Sequence, residues 1–78
     1  MTDREVAALL RQPWRRSARG NLCRSWLDLT LTVFRRGDGW AWCLVAGEGR
    51  PKFSRRTYPG EAAAIEGAEC AAVAWCGG

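Results

Sequence analysis

The feature that most constrains this fold is a run of alternating residues between positions 24 and 35. Four aliphatic residues occupy every second position: Leu27, Leu29, Leu31 and Val33. The intervening positions hold Trp26, Asp28, Thr30, Thr32 and Phe34. Successive side chains of a β-strand point to opposite faces of its sheet, so this spacing predicts one strand over 24–35. We expect the aliphatic set to face the core, leaving the other face polar in its middle and aromatic at its ends.

Two further strands are predicted to follow this one. The segment Arg36-Gly37-Asp38-Gly39 predicts a tight hairpin, because glycine and Asp-Gly supply the positive φ that such turns need. A second strand over 40–45 ends where the glycines at 47 and 49 break the pattern, and a third is expected over 52–58. Both connections are short, so residues 24–58 are predicted to form a three-stranded antiparallel meander.

Helices are expected on both sides of this sheet. Thr2 and Glu5 have capping-box spacing, and Pro13 ends the first helix, so we predict it over 1–12. A second, alanine-rich helix is predicted over 60–76, with Glu61 in its first turn and Gly77-Gly78 as its end. Helical spacing gives it a core face of Ile65, Ala68, Ala72 and Trp75.

The predicted fold class is therefore α+β, in the order α-β-β-β-α, with the meander packed on the C-terminal helix. The chain has 78 residues, which is enough for one core, so we interpret 1–78 as a single domain with a basic loop at 13–23. No apolar run is long enough to cross a membrane and no secretory signal is recognisable, so we expect a cytoplasmic protein without a membrane partner.

Charge is distributed unevenly along the chain. All 12 basic residues lie within 1–58, with five of the eight acidic ones, whereas 59–78 holds only acids. Five arginines and no acid fall between positions 11 and 24, including Arg15, Arg16 and Arg19. A basic surface attracts nucleic acid and other anions. Alternatively, the arginines form an ordinary solvated surface, because a GC-rich genome encodes many arginines in any protein.

The sequence lacks the residue patterns that are typical of catalytic sites and metal sites. There is no histidine, which removes the commonest general base and metal ligand, so we predict no enzymatic activity and no cofactor. The four cysteines, Cys23, Cys43, Cys70 and Cys76, lack the close pairing of zinc ligands. We expect them to be reduced, small apolar residues, and we predict no metal site.

The five tryptophans allow two interpretations. They can fill a small core that has few other large residues. Alternatively, Trp40 and Trp42 share one face of the second strand and, interleaved with basic residues, form an exposed platform. Such platforms stack bases or anchor protein partners.

The run Gly39-Trp40-Ala41-Trp42, followed by Thr57-Tyr58-Pro59-Gly60-Glu61-Ala62-Ala63, resembles the AP2-type DNA-binding domain and the arm-binding modules of phage and transposon integrases. The YegP-type small proteins show a similar pattern. The AP2 resemblance implies a DNA-binding sheet in a small bacterial, phage-related module. The binding residues that it implies are Arg35, Arg36, Trp40, Trp42, Lys52 and Arg56. The N-terminal helix departs from the AP2 pattern.

The order α-β-β-β-α is also that of the double-stranded-RNA-binding domain. That family needs a lysine cluster at the start of its last helix, where this chain is acidic at Glu61, so the similarity extends to topology alone. Two functions stay open. One is electrostatic nucleic-acid binding through the arginines and the sheet. The other is a protein-interaction or inhibitor module that uses an exposed sheet face or an edge strand, which could also form a dimer.

Overall fold

A computed structural model describes residues 2–76 of the chain, with side chains through residue 74. Two helices enclose five strands in the sequence. In chain order the elements are α1 (Asp3–Arg11), β1 (Arg15–Arg16), β2 (Leu22–Trp26), β3 (Leu29–Arg36), β4 (Gly39–Ala46), β5 (Lys52–Phe53) and α2 (Glu61–Cys76). The capping box of Thr2 and Glu5 is present at the start of α1, as predicted.

The strands form one antiparallel sheet in the order β1-β2-β3-β4-β5. Helix α2 packs on β3 and β4, and α1 packs on β2 and α2, so both helices cover the same face. This confirms the α+β class, the antiparallel meander and the helix at each end. The sheet has five strands where the sequence predicted three. No helix within 2–76 is long and apolar enough to cross a bilayer.

The prediction of one continuous strand over 24–35 is wrong at positions 27 and 28. Leu27 and Asp28 form a turn that divides it into β2 and β3, and Leu27 has a φ of +54°. Trp26 pairs with Leu29, so these two residues share a face and the alternation changes phase at the turn. Leu27 is consequently 78% exposed rather than part of the core. The predicted core positions Leu29, Leu31 and Val33 are buried.

The predicted third strand and basic loop also change. Strand pairing after β4 covers only Lys52–Phe53, and Tyr58 rejoins the sheet through an isolated bridge to Trp40. Between them, the backbone N–H of Ser54 donates a hydrogen bond to the carbonyl oxygen of Trp42 at 2.9 Å, and the hydroxyl of Ser54 accepts one from the backbone N–H of Trp42 at 3.2 Å. Within the expected loop at 13–23, two residues form the edge strand β1.

The core lies between the sheet and the helices. Leu31, Val33 and Leu44 are fully buried, and they face the alanines of α2: Ala64, Ala68 and Ala72. Small alanine side chains let the helix lie close to the sheet. Of the other predicted core residues, Ile65 is only partly buried. The side chain of Trp75 and the Gly77-Gly78 end fall outside the described residues.

Candidate functional site

A groove opens at the β5 edge of the sheet, between the segment from β5 to Tyr58 and helix α2. Its volume is about 380 Å³, and we call it the β5 groove. Three basic and three aromatic residues line it, together with Ala71: Lys52, Arg55, Arg56, Trp42, Phe53 and Tyr58. None of the lining residues is acidic.

Tyr58 forms the back of the β5 groove and is fixed from three directions. Its backbone exchanges hydrogen bonds of 2.7 and 2.9 Å with Trp40. Its hydroxyl oxygen accepts a hydrogen bond from Nε1 of Trp42 at 3.3 Å. Its ring lies so close to α2 that a Cβ at Gly67 would collide with the hydroxyl and come within 2.6 Å of Cζ. Glycine at position 67 therefore sets the spacing between α2 and the groove.

Arginine side chains around the groove are stacked on aromatic rings. The guanidinium of Arg56 lies 5.0 Å from the ring centroid of Tyr58. That of Arg35 lies 5.5 Å from Trp40, the residue paired with Tyr58. A guanidinium held over an aromatic ring by a cation–π contact keeps N–H donors that can bind an oxyanion.

Arg36 supports the same region from the opposite face of the sheet. Its guanidinium lies 5.5 Å from the ring of Phe34 and donates a hydrogen bond to the backbone oxygen of Ser54 at 3.1 Å. Phe34 in turn meets Phe53 edge to face, with their centroids 6.3 Å apart. These contacts fix the segment that carries Phe53 and the groove arginines.

The residues expected to bind nucleic acid are divided between the two edges of the sheet. Lys52, Arg56 and Trp42 line the β5 groove, Arg35 and Trp40 lie beside it, and Arg36 lies on the opposite face of the sheet. Arg15, Arg16 and Arg19 belong to the opposite edge, at β1 and the turn that follows it. Arg16 is ion-paired there with Glu61 at 3.4 Å.

The idea of an exposed tryptophan platform needs correction. Trp42 pairs with Val33 and Trp40 with Arg35, so both rings lie on the face that the helices cover. Trp42 is only 7% exposed, and its ring is not open for stacking. Alternation along the second strand showed that the two rings share a face, but it could not show which face the helices occupy.

Sequence reasoning missed four residues of the groove: Phe53, Arg55, Tyr58 and Ala71. Phe53 is 51% exposed, although aromatic side chains are usually buried. The run Lys52-Phe53-Ser54-Arg55-Arg56 places an aromatic residue among three cations, and that local pattern was the available signal.

The thiols of Cys23 and Cys43 do not form a shared site. Cys23 and Cys43 both face Thr32, one from each neighbouring strand. Two strand spacings separate their backbones by about 9–10 Å, which is too far for a disulfide. Burial raises the pKa of the Cys43 thiol. Among the described residues no three His, Cys, Asp or Glu side chains are grouped as metal ligands would be.

Comparison of the chain with models of protein families, with curated proteins and with solved structures finds no match.

Proposed function

We propose that this protein binds nucleic acid through the β5 groove. The observation that carries the proposal is the lining of that groove, which includes three basic residues and three aromatic residues but no carboxylate. Basic grooves with aromatic side chains are typical of proteins that follow a nucleic-acid backbone. Stacked arginines are suited to this task, because their planar N–H edges match the oxygens of a phosphate.

Binding is expected to depend mainly on charge. Each phosphate that Lys52, Arg55 or Arg56 neutralises releases counterions, so the affinity should fall steeply as the salt concentration rises. The groove lining contains no amide or carboxylate side chain of the kind that reads adenine or cytosine. We therefore expect weak sequence preference. The acids of α2, Glu66 and Glu69, would repel phosphate and confine the backbone to the β5 side.

The proposal is tested by fluorescence anisotropy of a labelled oligonucleotide titrated at several salt concentrations. The variant Arg55→Ala/Arg56→Ala should weaken binding and reduce the slope of log K against log salt by about 1.4 on a single strand or about 1.8 on duplex DNA. The matched control is Arg4→Ala/Arg11→Ala, which removes the same charge from the exposed surface of α1. Equal losses in both variants would contradict a site in the groove.

A second pair of variants compares the two edges of the sheet. Arg15→Ala/Arg16→Ala removes two arginines from β1, where the sequence alone placed much of the basic surface. If β5 carries the site, this pair should change the affinity no more than the α1 control does. A larger effect than that of Arg55→Ala/Arg56→Ala would move the proposed interface to the β1 edge.

Protein binding at the uncovered sheet face is the second candidate, because both helices pack on the other face. Phe34, Cys43 and Phe53 lie on this face with Arg36, and no strand residue there is acidic. The sheet edges are less suited to pairing with another chain, since β1 and β5 have two residues each and carry basic side chains. Thr32→Glu at the centre of this face should abolish such binding, whereas Arg55→Ala/Arg56→Ala should leave it intact.

A further inference from the structure

Two surfaces of the fold have no partner among the described residues, and they lie on opposite sides of the molecule. One is the uncovered sheet face. The other is the side of α2 that points away from the sheet, which we call the outer face of α2. It carries three exposed residues at helical spacing, opposite the buried alanines of the helix: Glu66, Cys70 and Val73. Because α2 packs on the covered face of the sheet, these two surfaces point in opposite directions.

A continuous row of residues crosses the uncovered sheet face on all five strands. The strand register pairs each member with the next: Arg15, Cys23, Thr32, Cys43 and Phe53. The three central members are small, so a helix can lie close to the middle of this face. Strands β3 and β4 have eight residues each, a length of about 26 Å. Helix α2 has 16 residues and is about 24 Å long, so it matches the length of these strands.

The two surfaces carry opposite charge. Among the strand residues of the uncovered sheet face only Arg15 and Arg36 are charged, and both are basic. The outer face of α2 carries Glu66, and α2 contains no basic residue. Contact between the sheet face of one copy and the helix of another therefore brings opposite charges together. Contact between two sheet faces, or between two helices, brings like charges together.

Each surface also exposes a large apolar side chain. Phe53 is 51% exposed on the uncovered sheet face, and Val73 is 55% exposed on α2. A contact between the two surfaces can remove both from water, which favours association. A helix about 24 Å long and 10 Å wide covers on the order of 240 Å². A stable interface covers roughly 800 Å² per partner, so this contact should be weak and should form only at high protein concentration.

From these observations we propose that the uncovered sheet face binds the outer face of α2 of a second copy of this chain. The proposal rests on the second candidate function, protein binding at the uncovered sheet face, and names the partner. Each copy uses its sheet on one side and its helix on the other, so the contact can repeat from copy to copy. Opposite charges contribute to the contact, so added salt weakens it.

Sedimentation equilibrium of the full chain under reducing conditions tests the proposal. At low salt we expect the average mass to rise from 8.7 kDa at about 20 µM to at least about 1.5 times that value at about 1 mM. Sodium chloride at about 0.5 M should reverse most of this rise, because it screens the charges. A mass that stays at 8.7 kDa throughout would overturn the proposal. Nucleic-acid binding in the β5 groove is measured separately by anisotropy and would be unaffected by that result.

Two variants each disrupt one of the two surfaces. Thr32→Glu places an acid at the centre of the uncovered sheet face, where it repels Glu66 of a second copy. Glu66→Arg/Val73→Arg makes the outer face of α2 basic. Each variant should remain monomeric at the highest concentration. The matched control is Glu48→Arg/Leu27→Arg, which makes the same kinds of exchange at exposed turn positions and should associate like the wild type.

An equimolar mixture of the two variants distinguishes this contact from a contact between like surfaces. Thr32→Glu still has an intact α2, and Glu66→Arg/Val73→Arg still has an intact sheet face. We expect a 1:1 complex with twice the monomer mass that does not grow further. If the wild type associates but the mixture stays monomeric, the proposal is wrong. Circular dichroism checks folding, and Phe53→Glu, at an exposed position of the same sheet face, replaces Thr32→Glu if that variant is unfolded.

Discussion

The guanidinium of Arg24 lies 4.4 Å from the ring centroid of Trp14, on the face of the sheet that the helices cover. Arg24 is only 9% exposed, and its Nε and Nη1 atoms have no hydrogen-bond partner among the described residues. The cation–π contact offsets part of the cost of burying the charge. A buried cation without an acidic partner still reduces stability, because its lost hydration is not replaced.

Replacing Arg24 by an apolar residue of similar length should therefore stabilise the protein. We expect Arg24→Met to raise the free energy of unfolding by about 1–4 kcal/mol, because it keeps an apolar side chain of similar length at this buried position and removes the buried charge. Urea denaturation measures this change. Arg15→Met, at an exposed site on β1, is the control and should stay within about 0.5 kcal/mol of the wild type. A loss of stability in Arg24→Met would contradict this prediction and would mean that the contacts of the guanidinium outweigh the cost of burying it.

Two neighbouring leucines should respond very differently to truncation. Leu29 is 2% exposed and faces the core, so Leu29→Ala should cost about 2–5 kcal/mol. Leu27 lies in the turn and is largely exposed, so Leu27→Ala should change stability by about 0.5 kcal/mol or less. Thermal or urea unfolding of the pair measures both. Comparable losses would mean that the alternation of 24–35 continues through position 27.

Gly67 gives a third prediction, in which the usual rule for helices is reversed. Glycine to alanine inside a helix normally adds about 1 kcal/mol of stability. Here the new methyl group would collide with the ring of Tyr58, so Gly67→Ala should destabilise the protein. In a Tyr58→Ala background the collision is absent, and the same change should be stabilising. A double-mutant cycle measured by urea unfolding compares the two, and equal effects in both backgrounds would contradict the contact.

The pKa of the Cys43 thiol gives a prediction about pH. Burial raises this pKa, so the folded protein keeps its proton at a pH where the unfolded chain has lost it. The free energy of unfolding is therefore unaffected by this thiol at neutral pH. It falls as the pH rises above the pKa that the thiol has in the unfolded chain. Alkylation by iodoacetamide, followed by peptide mass spectrometry, should show Cys43 reacting at a higher pH in the native protein than in urea. The same pH profile in both states would rule out the shift.

Local sequence signals determined much of the secondary structure. The capping box of Thr2 and Glu5 and the stop at Pro13 defined α1, because caps act within a single turn. Alanine content and Glu61 defined α2, and the glycines around Asp38 marked the hairpin between β3 and β4. The buried positions Leu29, Leu31 and Val33 followed from period-two alternation. Each of these signals depends on residues that are close together in the chain.

Tertiary structure decided which surfaces the side chains occupy. Apolar and polar residues alternate both before and after the short turn at Leu27. The alternation alone therefore could not reveal that the turn shifts the buried face by one residue and leaves Leu27 exposed. It also could not show that the helices cover the face that carries Trp42. The β5 groove combines strand, loop and helix residues that are distant in sequence, from Trp42 to Ala71. Such a surface exists only after packing, because the position of α2 relative to Tyr58 is fixed by contacts across the fold, including the close approach at Gly67.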